Sequence, residues 1–292
     1  MRLSVARFSI ITEGALSDFH FLDKTDSAIL LQYVAGCETG DGEAICWAFS
    51  EDSPPVTEPF FRIPLARHPI NVRKSEAGWY FARHYHPLIE PLGIHIEDQW
   101  KNFTVYNADS RSEVCLQYLY TDLGRMFAYA VLPRGGIVLH AVAMRWRNKA
   151  VLLSAASGTG KTTHAGLWQQ IERVEIINGD RALCVADEGA WSVYGQPWCG
   201  SSGQSINTSS AIGAIVLLEQ SEKNEIVRLS AFEAAHGLLP RVFAPSWDAA
   251  LAENVLDCLD SMTAQIPVFR LRCRPDAEAV LTLRHALERL FN

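Results

Sequence analysis

The sequence has no pair of cysteines at CxxC spacing, although its 292 residues include seven cysteines. An odd number of cysteines without that spacing indicates neither a disulfide framework nor a zinc clip. The sequence also lacks an apolar run long enough for a signal peptide or a membrane span, including at its N-terminus, MRLSVARFSIITEG. These absences predict a cytoplasmic protein with reduced thiols and no membrane partner.

Positive charge is not in excess either. The chain has 26 Lys and Arg against 33 Asp and Glu, which gives a net charge of -7. A chain without an excess of basic residues lacks the positive charge that attracts a nucleic-acid backbone, so we expect no nucleic-acid partner. Hydrophobic residues make up 48% of the chain. That fraction is enough to bury a sizeable core in one large domain or two smaller ones.

The first 125 residues contain short aromatic and β-branched runs separated by turn-forming clusters. Runs lie at 44–49, 78–81 and 103–106, and one of the clusters is 38–42. Runs of this kind, bounded by Gly, Pro and Asp, favour strands over helices. We therefore predict a β-rich N-terminal region over residues 1–125.

The remainder of the chain alternates between helical periodicity and apolar runs. Helical spacing occurs over 112–132, 247–262 and 276–291, and apolar strand-like runs over 137–144, 150–154, 174–177 and 214–218. Strands that are apolar on both faces belong in the middle of a covered sheet. The pattern predicts an α/β domain over residues 126–292, and an α+β chain overall.

The segment after the run 150–154 matches a phosphate-binding loop. It satisfies G-x-x-x-x-G-K-[ST] except at the first glycine, where Ala155 stands. Such a loop holds phosphate oxygens with successive backbone N–H groups, a helix N-terminus and a Lys ammonium. The alternative is a chance Gly- and Ser-rich connection. The predicted nucleotide-binding residues are Ser157, Gly158, Thr159, Gly160, Lys161, Thr162 and Thr163.

Three further assignments concern the chemistry beside this loop. Thr162 would place its hydroxyl on Mg²⁺, as the last position of such loops does. Asp180 follows the next strand, where a metal ligand or base is needed, but an Asn-Gly-Asp sequence is also typical of a solvated turn. His140 ends a strand expected to pair with the strand of the loop. Taken alone, a His on an apolar strand is more often a hydrogen-bonded core residue.

Together these elements resemble the kinase domain of the HPr serine kinase/phosphorylase family, and more closely its shorter relatives of uncertain substrate. The resemblance lies in LHAVAMRWRNKAVLLSAASGTGKTTHAGLW followed by IINGDRALCV. It implies the P-loop fold shared with phosphoenolpyruvate carboxykinases, ATP and Mg²⁺ at the loop, and His140, Lys161 and Asp180 as catalytic residues. The family has an acidic pair here, and its first member is Gly179 in this chain. Asp180 is then left as base, metal ligand or both, or Asn178 assists it.

The resemblance implies a Mg-ATP-dependent kinase that transfers the γ-phosphoryl group to a hydroxyl. The expected acceptor is a serine of a small protein or peptide, or else a small metabolite, recognised by the β-rich region. The incomplete acidic pair leaves an alternative, a nucleotide-binding regulatory or peptide-recruiting protein with little or no turnover. Related kinases often form rings, so the resemblance is compatible with a homo-oligomer of this chain. The Gly-rich segment 195–207 either closes over the acceptor or is a plain surface connection.

Overall fold

The computed structural model describes residues 2–12, 24–34, 43–64, 68–86, 88–97, 99–108, 112–156 and 158–291. The chain divides into two compact units, Met1–Ala130 and Val131–Asn292. Each contains a sheet and helices, so the fold is mixed α and β. The boundary expected at 125/126 falls inside a helix that stays packed in the first unit through Ala130. The turn cluster 38–42 lies outside the described residues.

The described part of unit 1 contains an eight-stranded sheet and two helices. Its elements are β1 (Arg2–Val5), β2 (Phe8–Thr12), α1 (Lys24–Val34), β3 (Glu43–Ser50), β4 (Glu58–Ile63), β5 (Ile70–Lys74), β6 (Trp79–Arg83), β7 (Leu92–Glu97), β8 (Asn102–Tyr106) and α2 (Glu113–Ala130). The order across the sheet is β1-β2-β3-β8-β7-β6-β5-β4. Strands β4 to β8 form an antiparallel meander. The apolar runs 44–49 and 103–106 lie within β3 and β8, and the run 78–81 overlaps the start of β6.

Helix α2 packs against this sheet through the apolar positions that gave it its helical periodicity. Leu123 and Phe127 are fully buried, and the ring of Phe127 meets that of Phe8 on β2 edge to face, with centroids 6.0 Å apart. On α2, Asp122 also pairs with Arg83 of β6 through two N–O contacts of 2.5 Å. The helix is thus tied to the sheet by both apolar burial and a buried ion pair.

The described part of unit 2 contains a second eight-stranded sheet and four helices. Its elements are β9 (Gly136–Trp146), β10 (Lys149–Ser154), α3 (Lys161–Glu172), β11 (Glu175–Asn178), β12 (Arg181–Asp187), β13 (Ala190–Tyr194), β14 (Ser209–Gln220), β15 (Glu225–Arg228), α4 (Ala231–Leu238), α5 (Ala249–Gln265), β16 (Val268–Cys273) and α6 (Ala277–Phe291). The order across the sheet is β10-β9-β12-β13-β14-β16-β15. In addition, β11 pairs with β9 and β10 pairs with β14. Among the described helices of the chain, none combines the length and apolarity needed to cross a membrane.

Helices cover both faces of the unit 2 sheet. On one face Leu153 packs in a buried cluster with Trp168 of α3 and Leu283 of α6. On the other, Leu217 of β14 lies so close to α4 that a side chain at Gly237 would collide with it. Strands buried on both faces need apolar residues at consecutive positions. This arrangement accounts for the nearly continuous apolar runs of β9, β10 and β14.

Candidate functional site

The loop between β10 and α3 turns on two glycines in the left-handed backbone region. Gly158 has φ 77° and Gly160, the N-cap of α3, has φ 105°. No atom lies within 4 Å of a Cβ built on either residue, so backbone conformation rather than space requires glycine. Ala155 is not among the described residues with a positive φ, so its methyl group adds no backbone strain. Ser157 lies outside the described residues.

Lys161 begins α3 and turns its ammonium back toward the loop. The residue is 9% exposed, and Nζ donates to the carbonyl of Ala155 over 3.4 Å. Burial lowers the pKa of Lys161, the carboxylate of Asp180 partly offsets that effect, and Arg241 lowers the pKa further. A buried ammonium beside the free N–H groups of a helix N-terminus suits an anion such as phosphate.

Strand pairing brings His140 and Asp180 together next to this loop. In the sheet Ser154 pairs with Ala141, and Arg181 pairs with His140. The N–H of Ala141 donates to the carbonyl of Asp180 over 3.0 Å, and Nε2 of His140 lies 3.2 Å from Oδ1 of Asp180. Residues distant in sequence thus meet in one row where β10 ends and the loop begins.

The carboxylate of Asp180 is held in its charged form. Burial alone would raise its pKa, but the hydrogen bond with His140 and the positive charges of Arg181 and Lys161 outweigh burial, so the pKa lies below its usual value. The side chains of His140 and Asp180 are each 28% exposed. An ionised and reachable carboxylate can accept a proton or bind a cation.

Asn178 positions Asp180 rather than sharing its chemistry. Its side chain is fully buried, and Oδ1 accepts the backbone N–H groups of Asp180 at 3.0 Å and Arg181 at 2.7 Å. Its Nδ2 donates to the carbonyl of Gln196 over 3.1 Å. With both ends of the amide bonded in the interior, Asn178 is not available to assist a proton transfer, which corrects that part of the sequence interpretation.

The Gly-rich segment 195–207 is docked onto the strand that leads to Asp180, so it is not a plain surface connection. Gln196 and Trp198 are buried. The N–H of Gly179 donates to the carbonyl of Gln204 over 2.9 Å. The segment forms a fixed wall beside Asp180. No motif in its sequence indicates that it packs there.

Gly179, which stands where the resemblance implies an acid, lies directly against Ser202. A Cβ on Gly179 would come within 2.0 Å of the Ser202 hydroxyl oxygen. That hydroxyl donates to the carbonyl of Cys199 over 2.7 Å and accepts the N–H of Gln204 at 3.3 Å. The space that a first carboxylate would need is therefore filled by a serine held in place.

Arg241 also belongs to the site and was not identified from the sequence. It lines a cavity of about 390 Å³ together with Gly158, Thr159 and Gln220. Its guanidinium donates to the carbonyl of Gly237, and its Nε is buried without a hydrogen-bond partner in the described part of the chain. The residue follows α4 in a short turn, which matches no motif, so only the tertiary structure brings this cation to the loop.

A second cavity of about 390 Å³ is lined by the loop and by His164 on α3. His164 is 3% exposed, and its Nε2 accepts a hydrogen bond from the indole N–H of Trp168 over 3.3 Å. Burial lowers the pKa of His164 to about 4, against a small opposing effect of Asp276. The imidazole is consequently neutral at pH 7.

This neutral histidine makes the stability of unit 2 depend on pH. Unfolded histidine takes up a proton near pH 6.5, so stability is complete above that pH and is lost as the pH falls toward 4. We expect a loss of about 3 kcal/mol, measured by urea unfolding across this range, for a folded pKa of about 4. His164→Gln should flatten this dependence, and the exposed His285→Gln should keep it. An unchanged pH dependence in His164→Gln would contradict the assignment.

The oxygen atoms at the loop suit Mg²⁺. Thr162 and Thr163 are exposed in the first turn of α3, and Asp180 is ionised. In the described ranges no group of three or more His, Cys, Asp or Glu side chains could hold a metal ion. Mg²⁺ is usually bound through one or two carboxylates together with substrate phosphates and water. Thr162 and Asp180 therefore fit Mg²⁺ that arrives with a nucleotide.

Comparisons with known proteins identify a family and a structural neighbour. A family model described as SynChlorMet cassette protein ScmC matches residues 109–278, more than half of the chain. No curated protein matches the chain. The structure of the Hpr(Ser) kinase/phosphatase from Coxiella burnetii is similar at 10% identity with a TM-score of 0.31, over 52% of this chain and 97% of that one. This structural similarity is distant.

Proposed function

The chain belongs to the SynChlorMet cassette protein ScmC family, and for this member we propose a Mg²⁺- and ATP-dependent kinase that transfers the γ-phosphoryl group to a hydroxyl. The observation that supports it is the convergence of Lys161, Asp180 and His140 at the start of α3. Lys161 and Asp180 each alter the pKa of the other, and His140 is hydrogen-bonded to Asp180. A phosphate-binding cation beside an ionised carboxylate is what phosphoryl transfer requires.

In this proposal the loop and two cations hold the triphosphate. The N–H groups of the loop and of the first turn of α3, with Lys161, bind phosphate oxygens. Arg241, which lines a cavity together with Gly158 and Thr159 of the loop, supplies a second positive charge. Thr162 and Asp180 hold Mg²⁺, which neutralises charge on the phosphates when bound. The fold is then a P-loop fold of the HPr kinase type.

Asp180 also takes the proton of the acceptor hydroxyl. Its hydrogen bond with His140 orients the carboxylate and favours its charged form, so the base is ready at neutral pH. The acceptor we propose is a serine of a small protein or peptide, in keeping with the family resemblance. Unit 1 is the part proposed to recognise that acceptor.

Binding of Mg-ATP tests this function directly. Lys161→Ala removes the buried ammonium, and we expect Mg-ATP affinity, measured by titration calorimetry, to fall roughly 100-fold, about 3 kcal/mol. Lys149→Ala is the matched control, because this exposed lysine lies at the opposite end of β10. The proposal is wrong if the purified chain binds no Mg-ATP, or if Lys161→Ala binds it as tightly as the wild type.

A second candidate is a nucleotide-binding regulatory protein without turnover. The observation that favours it is the close contact between Gly179 and Ser202, which leaves no room for a first carboxylate. Release of ADP in the presence of serine-containing peptides separates the two functions. Turnover that disappears in Asp180→Asn supports the kinase, and Mg-ATP binding without turnover supports the regulatory protein.

The contact between Gly179 and Ser202 predicts a pair of coupled substitutions. Gly179→Asp alone should lower the unfolding free energy of unit 2 by about 1–3 kcal/mol, because the new Cβ collides with the Ser202 hydroxyl. Adding Ser202→Gly should recover most of that loss and admit a second carboxylate beside Asp180. Denaturant unfolding of both single variants and the double variant measures the coupling. Strictly additive effects would contradict the proposed clash.

A further inference from the structure

Unit 1 contains a Ser-His-Glu arrangement that the proposed kinase does not use. Oγ of Ser75 lies 2.7 Å from Nε2 of His95, and Nδ1 of His95 lies 3.0 Å from Oε1 of Glu97. One ring nitrogen thus faces a hydroxyl and the other faces a carboxylate. We propose that Ser75, His95 and Glu97 form a second catalytic site, which hydrolyses esters of short acyl groups.

The sequence builds this arrangement from one strand and one hairpin. His95 and Glu97 alternate along β7 and therefore point to the same face of the sheet. Ile94 and Ile96 point to the opposite face, where each is 2% exposed. Ser75 begins the turn between β5 and β6, and its N–H donates to the carbonyl of Gly78 over 2.9 Å. The hairpin turn thus brings a hydroxyl to the polar face of β7.

Gly78 holds the tip of this hairpin close to β7. A Cβ on Gly78 would lie 1.9 Å from the carbonyl oxygen of Ile96, so no other residue permits this approach. The Ser75 hydroxyl has a second acceptor in the carbonyl of Gly78, but that distance is 3.2 Å, longer than the 2.7 Å to His95. The backbone therefore fixes Ser75 at hydrogen-bonding distance from the imidazole before any substrate arrives.

A cleft of about 680 Å³ opens at these three residues. Its lining combines Pro55 with the charged residues Glu58, Lys74 and Glu76, and Ser75 is partly exposed to the cleft. His95, by contrast, is 4% exposed. An accessible nucleophile beside a shielded base suits a small acyl group whose carbonyl carbon reaches Ser75.

The electrostatics prepare His95 to act as a base. Burial lowers the pKa of His95, and Glu97 partly offsets this through its charge and hydrogen bond. At neutral pH the ring is uncharged, and Nδ1 keeps its proton toward Glu97, which leaves Nε2 to accept the proton of Ser75. Glu97 is a positioning residue in this scheme, because it acts on the substrate only through His95.

The reaction proceeds in two steps. Ser75 Oγ forms a bond to the acyl carbon while its proton passes to Nε2 of His95, and the bond from that carbon to the alcohol oxygen breaks as the alcohol takes the same proton. Water then adds to the acyl-serine and gives a proton to His95. The bond from the acyl carbon to Oγ of Ser75 then breaks, Oγ takes the proton back from His95, and the acid leaves.

Two measurements on the full chain test the site. The first is hydrolysis of p-nitrophenyl butyrate, and the second is peptide mass analysis after treatment with a fluorophosphonate, which bonds to activated serines with loss of fluoride. We expect a covalent adduct on Ser75, and a fall in kcat/KM of roughly 100-fold or more in Ser75→Ala and His95→Gln. Ser50→Ala is the matched control, since Ser50 is hydrogen-bonded to the carboxylate of Asp52.

Two outcomes would contradict a catalytic role for Ser75 and His95. Absence of an adduct on Ser75 in the folded wild type would overturn the proposal, and so would labelling at the wild-type rate in His95→Gln. Glu97→Gln should lower kcat and move the acid limb of the kcat/KM profile to lower pH, because the carboxylate that raises the pKa of His95 is removed. A fall in activity with an unmoved acid limb would assign Glu97 a structural role only.

Discussion

Asp180→Asn is expected to reduce phosphoryl transfer by roughly 1000-fold, on the order of one lost general base, while nucleotide binding weakens far less. The substitution keeps the size of the side chain and its contact with His140, but it removes the charge that accepts the proton and helps to hold Mg²⁺. The phosphates are proposed to be held chiefly by Lys161 and the loop amides, so the nucleotide should still bind. Release of ADP and calorimetric titration with Mg-ATP give the two quantities separately.

Asp187→Asn is the control for this experiment. Asp187 ends β12, the strand that begins directly after Asp180, and its carboxylate accepts a hydrogen bond from the hydroxyl of Tyr194. A carboxylate at the other end of β12 should not affect turnover. If Asp180→Asn turned over as fast as the wild type, Asp180 would be neither the base nor an essential metal ligand. If both variants lost activity equally, the effect would be one of folding rather than chemistry.

The local parts of the site were predictable from the sequence because short-range rules determine them. Glycines at 158 and 160 are required by a turn from strand to helix, and the structure gives both a positive φ. The apolar runs of β9 and β10 predicted a covered sheet, and antiparallel pairing of these strands then fixes the row that contains His140. Periodicity in the same way predicted helix α2, which the structure extends over Glu113–Ala130.

The missing parts depend on contacts between segments distant in the chain. Nothing near Gly179 indicates that Ser202 will occupy the space of a carboxylate, because that contact forms only when the segment 195–207 docks. Arg241 reaches the loop through the packing of α4, which periodicity alone cannot orient. Ser75 and His95 likewise meet only through the strand order of unit 1. Long-range register decides all three, and register is weakly specified by local sequence.

The buried ion pair of unit 1 should have the largest effect on stability. Asp122 and Arg83 are each 3% exposed and form two contacts of 2.5 Å. Asp122→Ala leaves the guanidinium of Arg83 buried without its carboxylate. Breaking such a pair by removing one partner should lower the unfolding free energy of unit 1 by about 3–5 kcal/mol. Urea unfolding followed by fluorescence measures the loss, and the Mg-ATP binding proposed for unit 2 reports whether the rest of the chain is intact.

An exposed ion pair provides the comparison. Arg274 and Glu278 are 2.7 Å apart, but their side chains are 47% and 67% exposed. Glu278→Ala should change stability much less than Asp122→Ala, because water screens exposed charges and the remaining arginine stays solvated and paired with Asp276. The difference between the stability losses of the two variants measures how much burial adds to the cost of breaking an ion pair. Equal losses in Asp122→Ala and Glu278→Ala would mean that burial of Arg83 does not set the cost, and that α2 is held to its sheet by apolar packing alone.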